Sequence, residues 1–437
     1  MDYYLPGEDR VSVSFDPGHS DFEILEISSS MERIVGSKED TTWAIGVGGS
    51  IFAAPLIHDG VIYIGACDKN FYALDLETGR KRWVFHTDGP ILSTATIEDG
   101  IIYFGSYDGN IYALTKEGNL AWRFGVGDKI YSDPCVWEGR VLFGSHDSNA
   151  YALDSKTGRL LWRFKTGAPV SSSAMVHDGV LYIGSNDSNL YAIDARSGRL
   201  RWKYPTNGPV RYRIVEWKGK LIFGSLDGCM RAVDMNGNLL WRIQTGDGIG
   251  TYPLLFGDTL YFGSRDMNWY AIDNDGRALW KSSCRSYPNE LVVLGDSVYT
   301  CCCENGIYML DRKTGKEMRV FPTNGWVIRL IEHQGKIYFG SWDCNVYSMM
   351  ANGRVKWKFH TSLSFQSPLV QEEEPVIESF NVTWSTGKET KEKKRREDFS
   401  PMDYSMGFKS DYASAMSTNY LGSSPDAPHG KKKHHYA

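Results

Sequence analysis

Tyr182-Ile183-Gly184-Ser185-Asn186-Asp187-Ser188-Asn189-Leu190-Tyr191-Ala192-Ile193-Asp194-Ala195-Arg196-Ser197-Gly198-Arg199-Leu200-Arg201-Trp202 is the stretch that decides the fold. Val180 to Gly184 is rich in residues that suit a pleated surface and reads as a strand, B. Asn186 to Asn189 is a polar turn, and Leu190 to Asp194 reads as a second strand, C. Arg196-Ser197-Gly198 turns the chain again into strand D, Leu200 to Tyr204, which carries Trp202. Upstream, Val170 to Val176 reads as strand A, closed by the turn His177-Asp178-Gly179. Four short strands joined by Gly-containing turns form an antiparallel meander.

The same phrase recurs along the chain. Its first glycine falls at Gly65, Gly105, Gly144, Gly184, Gly224, Gly263 and Gly340, with Cys301 in the slot of a degenerate copy. Self-similarity at a period of about 40 residues, each unit a four-stranded meander, is the signature of propeller blades. The expected architecture is all-β: an eight-bladed β-propeller of four-stranded antiparallel blades, with a flexible C-terminal tail. Strand D carries Trp83, Trp122, Trp162, Trp202, Trp241, Trp280 and Trp357, and Arg319 replaces the indole in unit 7. These indoles should wedge blade against blade, each contributing about 2–3 kcal/mol through burial. Trp43 and the strand-like Ser364 to Val370 overhang the eight units. Such overhangs suit a ring whose two ends share one blade and hide its edges, but nine D-like segments against eight B–C hairpins leave the closure open.

Composition narrows the function. A net charge of −5 over 437 residues gives no general attraction to nucleic acid or to a membrane surface. No basic segment precedes an apolar run at the start, and no apolar run approaches the roughly 20 residues that span a bilayer. The expected compartment is therefore the cytoplasm. The eight cysteines lack disulfide-framework or zinc spacing, so most are expected as reduced, small apolar residues.

Ala73-Leu74-Asp75 to Trp83 and Ala152-Leu153-Asp154 to Trp162 carry the pattern Ala-Leu-Asp-x-x-Thr-Gly-x-x-x-Trp. This resembles the repeat of the pyrroloquinoline-quinone-type propellers over about residues 41 to 370. The resemblance implies either a quinoprotein dehydrogenase or a non-catalytic member. The dehydrogenases use Ca²⁺ held by Glu, Asn and Asp, a catalytic Asp, and often a vicinal disulfide, partly in long insertions. Repeats this uniform leave no room for such insertions, and no Glu/Asn/Asp set maps onto a calcium site. Cys301-Cys302-Cys303 is the nearest echo of the disulfide. No quinone, metal or other cofactor is expected.

The recurring acids Asp68, Asp108, Asp147, Asp187, Asp227, Asp266 and Asp343, with Glu304 in unit 7, sit in B–C turns, where a carboxylate can bond its own turn. Informative positions are those where repeats disagree. Units 5 to 8 gather Arg211, Tyr212, Arg213, Arg265, Arg285, Tyr287, Trp326, Arg329 and Trp342 toward one end of the ring. Arg with aromatics is the composition of a binding hot spot, and convergent Arg suits a carboxylate or phosphate. The competing reading pairs these Arg with Glu290 and Asp133 between blades.

Outside the repeats, residues 1–40 form an N-terminal arm in which Phe22 to Ile27 reads as one added strand. Residues 371–399 are a charged linker segment, and 400–437 a tail without core periodicity whose Tyr404, Phe408, Tyr412 and Tyr420 could anchor on a partner. The sequence points to a non-catalytic scaffold that binds one or more proteins within a larger assembly, with neither a membrane nor nucleic acid as partner. The alternatives are a quinone-dependent oxidoreductase and a receptor for a small anionic ligand at the channel mouth.

Overall fold

The computed structural model describes residues 50–302 and 306–361, and two short strands near the start. Those two, Asp2–Tyr3 and Val11–Ser12, pair antiparallel and belong to a unit other than that of the blades. Phe22 to Ile27, Trp43, Cys303, Glu304, Ser364 to Val370 and the tail aromatics Tyr404, Phe408, Tyr412 and Tyr420 lie outside the described residues.

Eight four-stranded antiparallel sheets follow one another over residues 56–86, 96–125, 135–165, 175–205, 215–244, 254–283, 288–322 and 327–360. Each is a blade in the order A-B-C-D, and each draws its four strands from consecutive residues. The expected eight blades are therefore present. The closure, which the sequence leaves open, needs no blade shared between distant parts of the chain among the described residues, because blades 1 and 8 are each already complete. They join through side chains instead. Trp357 Nε1 of blade 8 donates to the Leu76 carbonyl of blade 1 at 3.1 Å. Ile51 fills the space over Gly340, where an added Cβ would lie 2.2 Å from Ile51 Cγ2. Tyr338 and Val346 pack with Ile62, Ile64 and Tyr72 in one core cluster.

The same joint repeats around the ring. Trp83, Trp122, Trp162, Trp202, Trp241 and Trp280 donate to the carbonyls of Lys116, Ser155, Ala195, Met235, Asn274 and Arg312 in the next blade's C–D turn, at 2.7–3.1 Å. The glycine of that turn is dictated by the indole. Gly198 adopts φ +70°, and a Cβ there would lie 2.7 Å from the Trp162 ring. Blade 7 has Arg319 in the indole slot, and its Phe321 packs against Gly353 of blade 8 instead.

Strand A is shorter than the sequence suggests. In blade 4 it runs Met175–His177, not Val170 to Val176. The reason is a side chain that takes over a ladder bond: Ser172 Oγ accepts from the Gly184 amide at 2.7 Å. Ser93, Ser132 and Thr251 do the same for Gly105, Gly144 and Gly263. Blades 7 and 8 keep long A strands, Pro288–Leu294 and Val327–His333, each broken by a bulge.

Backbone bonds define the two ends of the ring. D–A loops bond B–C turns, as Thr166 N does to Ser148 O at 2.9 Å. C–D turns bond A–B turns at the other end, as Ser155 N does to Gly139 O at 2.9 Å. The cysteine expectation needs one correction: Cys284, before blade 7, is joined to Cys302 at the end of its strand B. The close approach of the D–A entry to strand B brings these two sulfurs together, rather than adjacent ones.

Candidate functional site at the channel

Position eleven before the repeated glycine, or before Cys301 in blade 7, is occupied in blade order by Ala54, Thr94, Asp133, Ser173, Arg213, Tyr252, Glu290 and Arg329. These equivalent residues meet around the axis. Ala54 N donates to Thr94 Oγ1 at 3.3 Å. Thr94 N donates to Asp133 Oδ1 and Ser173 Oγ to Asp133 Oδ2, both at 2.6 Å. Arg329 Nη1 reaches Asp133 Oδ2 at 3.3 Å and also donates to Thr94 Oγ1. Its Nη2 donates to the Tyr252 hydroxyl, and its Cζ lies 4.1 Å from that ring's centre. Arg213 approaches the same ring at 5.3 Å. A blade 8 side chain that touches blades 2, 3 and 6 spans the axis. It can reach because the bulge between Val327 and Leu330 turns it out of the ladder register.

Asp133 and Arg329 are 8% and 4% exposed, so their charges are mutually compensated away from water. Burial pushes the Asp133 carboxyl up, but Arg329, the Ser173 hydroxyl, Arg213 and the Thr94 amide together leave it below its ordinary value. Burial raises the Tyr252 phenol, and the same arginines do not offset it. Burial raises Glu290, partly opposed by Arg329 and Arg213. Two arginines and two carboxyl groups thus share the channel.

The nine residues singled out in the sequence fall into separate places. Tyr212, Arg213 and Arg329 do meet, through Tyr252, which Tyr212 contacts edge-on at 5.5 Å. Arg211 Nε donates to Asn186 Oδ1 of the neighbouring B–C turn at 3.0 Å. Trp326 and Trp342 lie in tilted contact, ring centres 4.5 Å apart, at the seam of blades 8 and 1, with Phe52 5.3 Å from Trp342. Arg265 lies on the blade 6 B–C turn against Gly250, and Tyr287 is half-buried at the entry to blade 7. Arg285 turns away toward Glu317, at 3.5 Å, and the Tyr308 ring. Sequence reading missed Tyr252, Thr94 and Phe52. Their signal was two alignment columns: Thr94 and Tyr252 stand eleven before the repeated glycine, with Arg213 and Arg329, and Phe52 stands thirteen before it, with Tyr131, Ser171 and Arg211. Three of them contact the preceding blade's B–C turn at Trp342, His146 and Asn186. Tyr131 meets Tyr107 of that turn edge-on at 6.5 Å.

The B–C acids work within their turns. Asp187 Oδ1 accepts from the Asn189 amide, and its Oδ2 from the Tyr191 hydroxyl and from Gly167 N of the D–A loop. Blade 5 replaces the tyrosine with Arg231, which makes a buried ion pair with Asp227. Ser171 and His146 form a hydrogen-bonded pair at 3.0 Å, yet they are 1% and 6% exposed and offer no open side to a substrate. A quinone does not fit the channel either. Arg329 and Tyr252 occupy the axis, and among the described residues no three His, Cys, Asp or Glu side chains converge to hold a metal ion. No described helix is long and apolar enough to cross a membrane.

A closed ring of Trp-wedged meanders with this repeat defines a pyrroloquinoline-quinone-type propeller. The model of the family described as outer membrane protein assembly factor BamB matches residues 34–98, 86–224 and 226–383, and the chain belongs to that family. No curated protein matches it in sequence. Among solved structures it is similar to the computationally designed Ika8 protein (TM-score 0.62, 18% identity, 69% of this chain and 96% of that one). It is similar to BamB from Moraxella catarrhalis (0.60, 16%, 67% and 91%). Sqt1 from Saccharomyces cerevisiae is similar to the same degree (0.60, 16%, 68% and 94%). At these identities the likeness speaks to the fold.

Proposed function

We propose that the protein is a non-catalytic scaffold that holds a protein partner at the end of the ring formed by the D–A loops and B–C turns. One observation carries the reading: the channel side chains bond one another across the axis. This favours a rim that meets a surface over a pocket that encloses a small molecule. Arg213 and Arg329 share the channel with Asp133 and Glu290, which disfavours an anion receptor there. Half-buried Tyr212, Trp326 and Trp342 supply the aromatic anchors such a rim needs. The family's description as an assembly factor supports a protein partner within a larger assembly. Tyr404, Phe408, Tyr412 and Tyr420 would add a second contact from the tail.

Affinity purification of the full chain tests this. A stoichiometric protein should co-purify and be lost from a Tyr212→Ala/Trp326→Ala variant whose circular dichroism is unchanged. It should be retained by Arg196→Ala at the opposite end. Retention by the first variant, or loss by the second alone, refutes the placement.

A further inference from the structure

We propose that the outer strand of blade 3, Leu160–Lys165, is a docking edge for an extended acidic segment of a protein partner. It is the outer edge of the blade, with its Lys165 end toward the D–A loops and B–C turns assigned above, and the two readings are tested through different residues, Tyr212 and Trp326 there and Arg163 and Lys165 here. This strand pairs with strand C of its own blade and, among the described residues, with nothing on its other side. A free strand edge offers a row of amides and carbonyls to a peptide. Arg163 and Lys165 are two residues apart, share one face and are exposed. Neither forms an ion pair among the described residues, although Lys165 Nζ donates to the Asp147 carbonyl at 2.9 Å. Cations at the opposite end are instead matched across blade seams, as Lys116 is with Asp59 and Arg196 with Glu138.

Two hollows flank the strand along its length. One, of about 380 Å³, is lined by Asn149, Arg163 and Lys165. The other, of about 300 Å³, lies toward the C–D turn and is bordered by Leu161. Leu161 is the residue left over by the bulge between Trp162 and Leu160, and it is 38% exposed. Beside it Leu160 is 40% exposed. Two uncompensated cations on an open edge select negative charge, and the neighbouring leucines select an apolar residue in alternation with it.

The probe is a fluorescein-labelled nine-residue peptide of alternating glutamate and valine, with a lysine–valine peptide and phosphatidylserine vesicles as comparisons. The full chain should bind the acidic peptide saturably, and hydrogen exchange should slow over residues 160–165. Arg163→Glu with Lys165→Glu should weaken binding by about ten-fold or more. The milder Arg163→Gln/Lys165→Gln pair should weaken it less, and Arg242→Glu on blade 5 should leave it unchanged. Binding that survives both charge changes, protection at another strand, equal binding of the lysine–valine peptide, or binding of vesicles without the acidic peptide each overturns the proposal. If the Glu pair fails to fold, the Gln pair and the exchange map of the unaltered protein decide.

Discussion

Asp133→Ala should be among the most destabilising single changes in the ring. The carboxylate accepts from Thr94 N, Ser173 Oγ and Arg329 Nη1, and the alanine removes all three acceptor contacts at once. Arg329, 4% exposed, would be left as a buried cation facing Tyr252. Breaking one partner of such a pair costs about 3–5 kcal/mol. For a ring of this size that is a fall of roughly 5–8 °C in Tm. Asp133→Ala/Arg329→Met should recover a large part of the loss, because the methionine refills the space without a charge. The assay is urea unfolding followed by tryptophan fluorescence, run as a double-mutant cycle. A loss below about 1 kcal/mol for the single change, or a double variant no more stable than the single, would refute the view that this pair is uncompensated once broken.

The pair also sets an acid limit. Because Asp133 is held below its ordinary value in the folded ring, its contribution is present above about pH 4 and is lost as pH falls through the folded value, which acid unfolding of Asp133→Asn against the parent would measure. Gly198→Ala should destabilise by about 1–3 kcal/mol, since it forces both a strained φ and a shift of the Trp162 ring, and thermal melting reads this directly. A non-reducing digest should yield a peptide linking Cys284 to Cys302. Cys302→Ser should cost about 3 kcal/mol for a loop of this length, read by the same melts.

The blades were legible because every one solves the same packing problem. Trp202, Gly198 and Asp187 are repeated wherever an indole must meet a turn, or a turn must bond itself, so their spacing reports geometry. The channel was legible only in part, because its chemistry lies in differences between blades. Arg213 and Arg329 were noticed as unusual, and Asp133 and Glu290 as conceivable partners. Tyr252 and Thr94 look ordinary in their own repeats, and only the closed ring brings them to Arg329. Arg285 misled for the converse reason. It stands near strand A in sequence, yet its side chain turns outward to Glu317, because the D–A loop of blade 7 is still outside the blade at that point. Strand A was overdrawn because a serine hydroxyl and a main-chain carbonyl satisfy the same amide, and sequence does not distinguish them.

Since blades 1 and 8 meet by indole, isoleucine and tyrosine contacts of the kind found at every junction but that of blades 7 and 8, where this ring is entered by the chain is mechanically arbitrary. A gene rearranged to start at another D–A connection, with residues 361 and 50 linked, would sever no sheet. The connections from blade 1 through blade 6 that carry the indole joint and no disulfide are in this sense equal candidates for new termini, and a fused reporter could be set at several bearings around the rim.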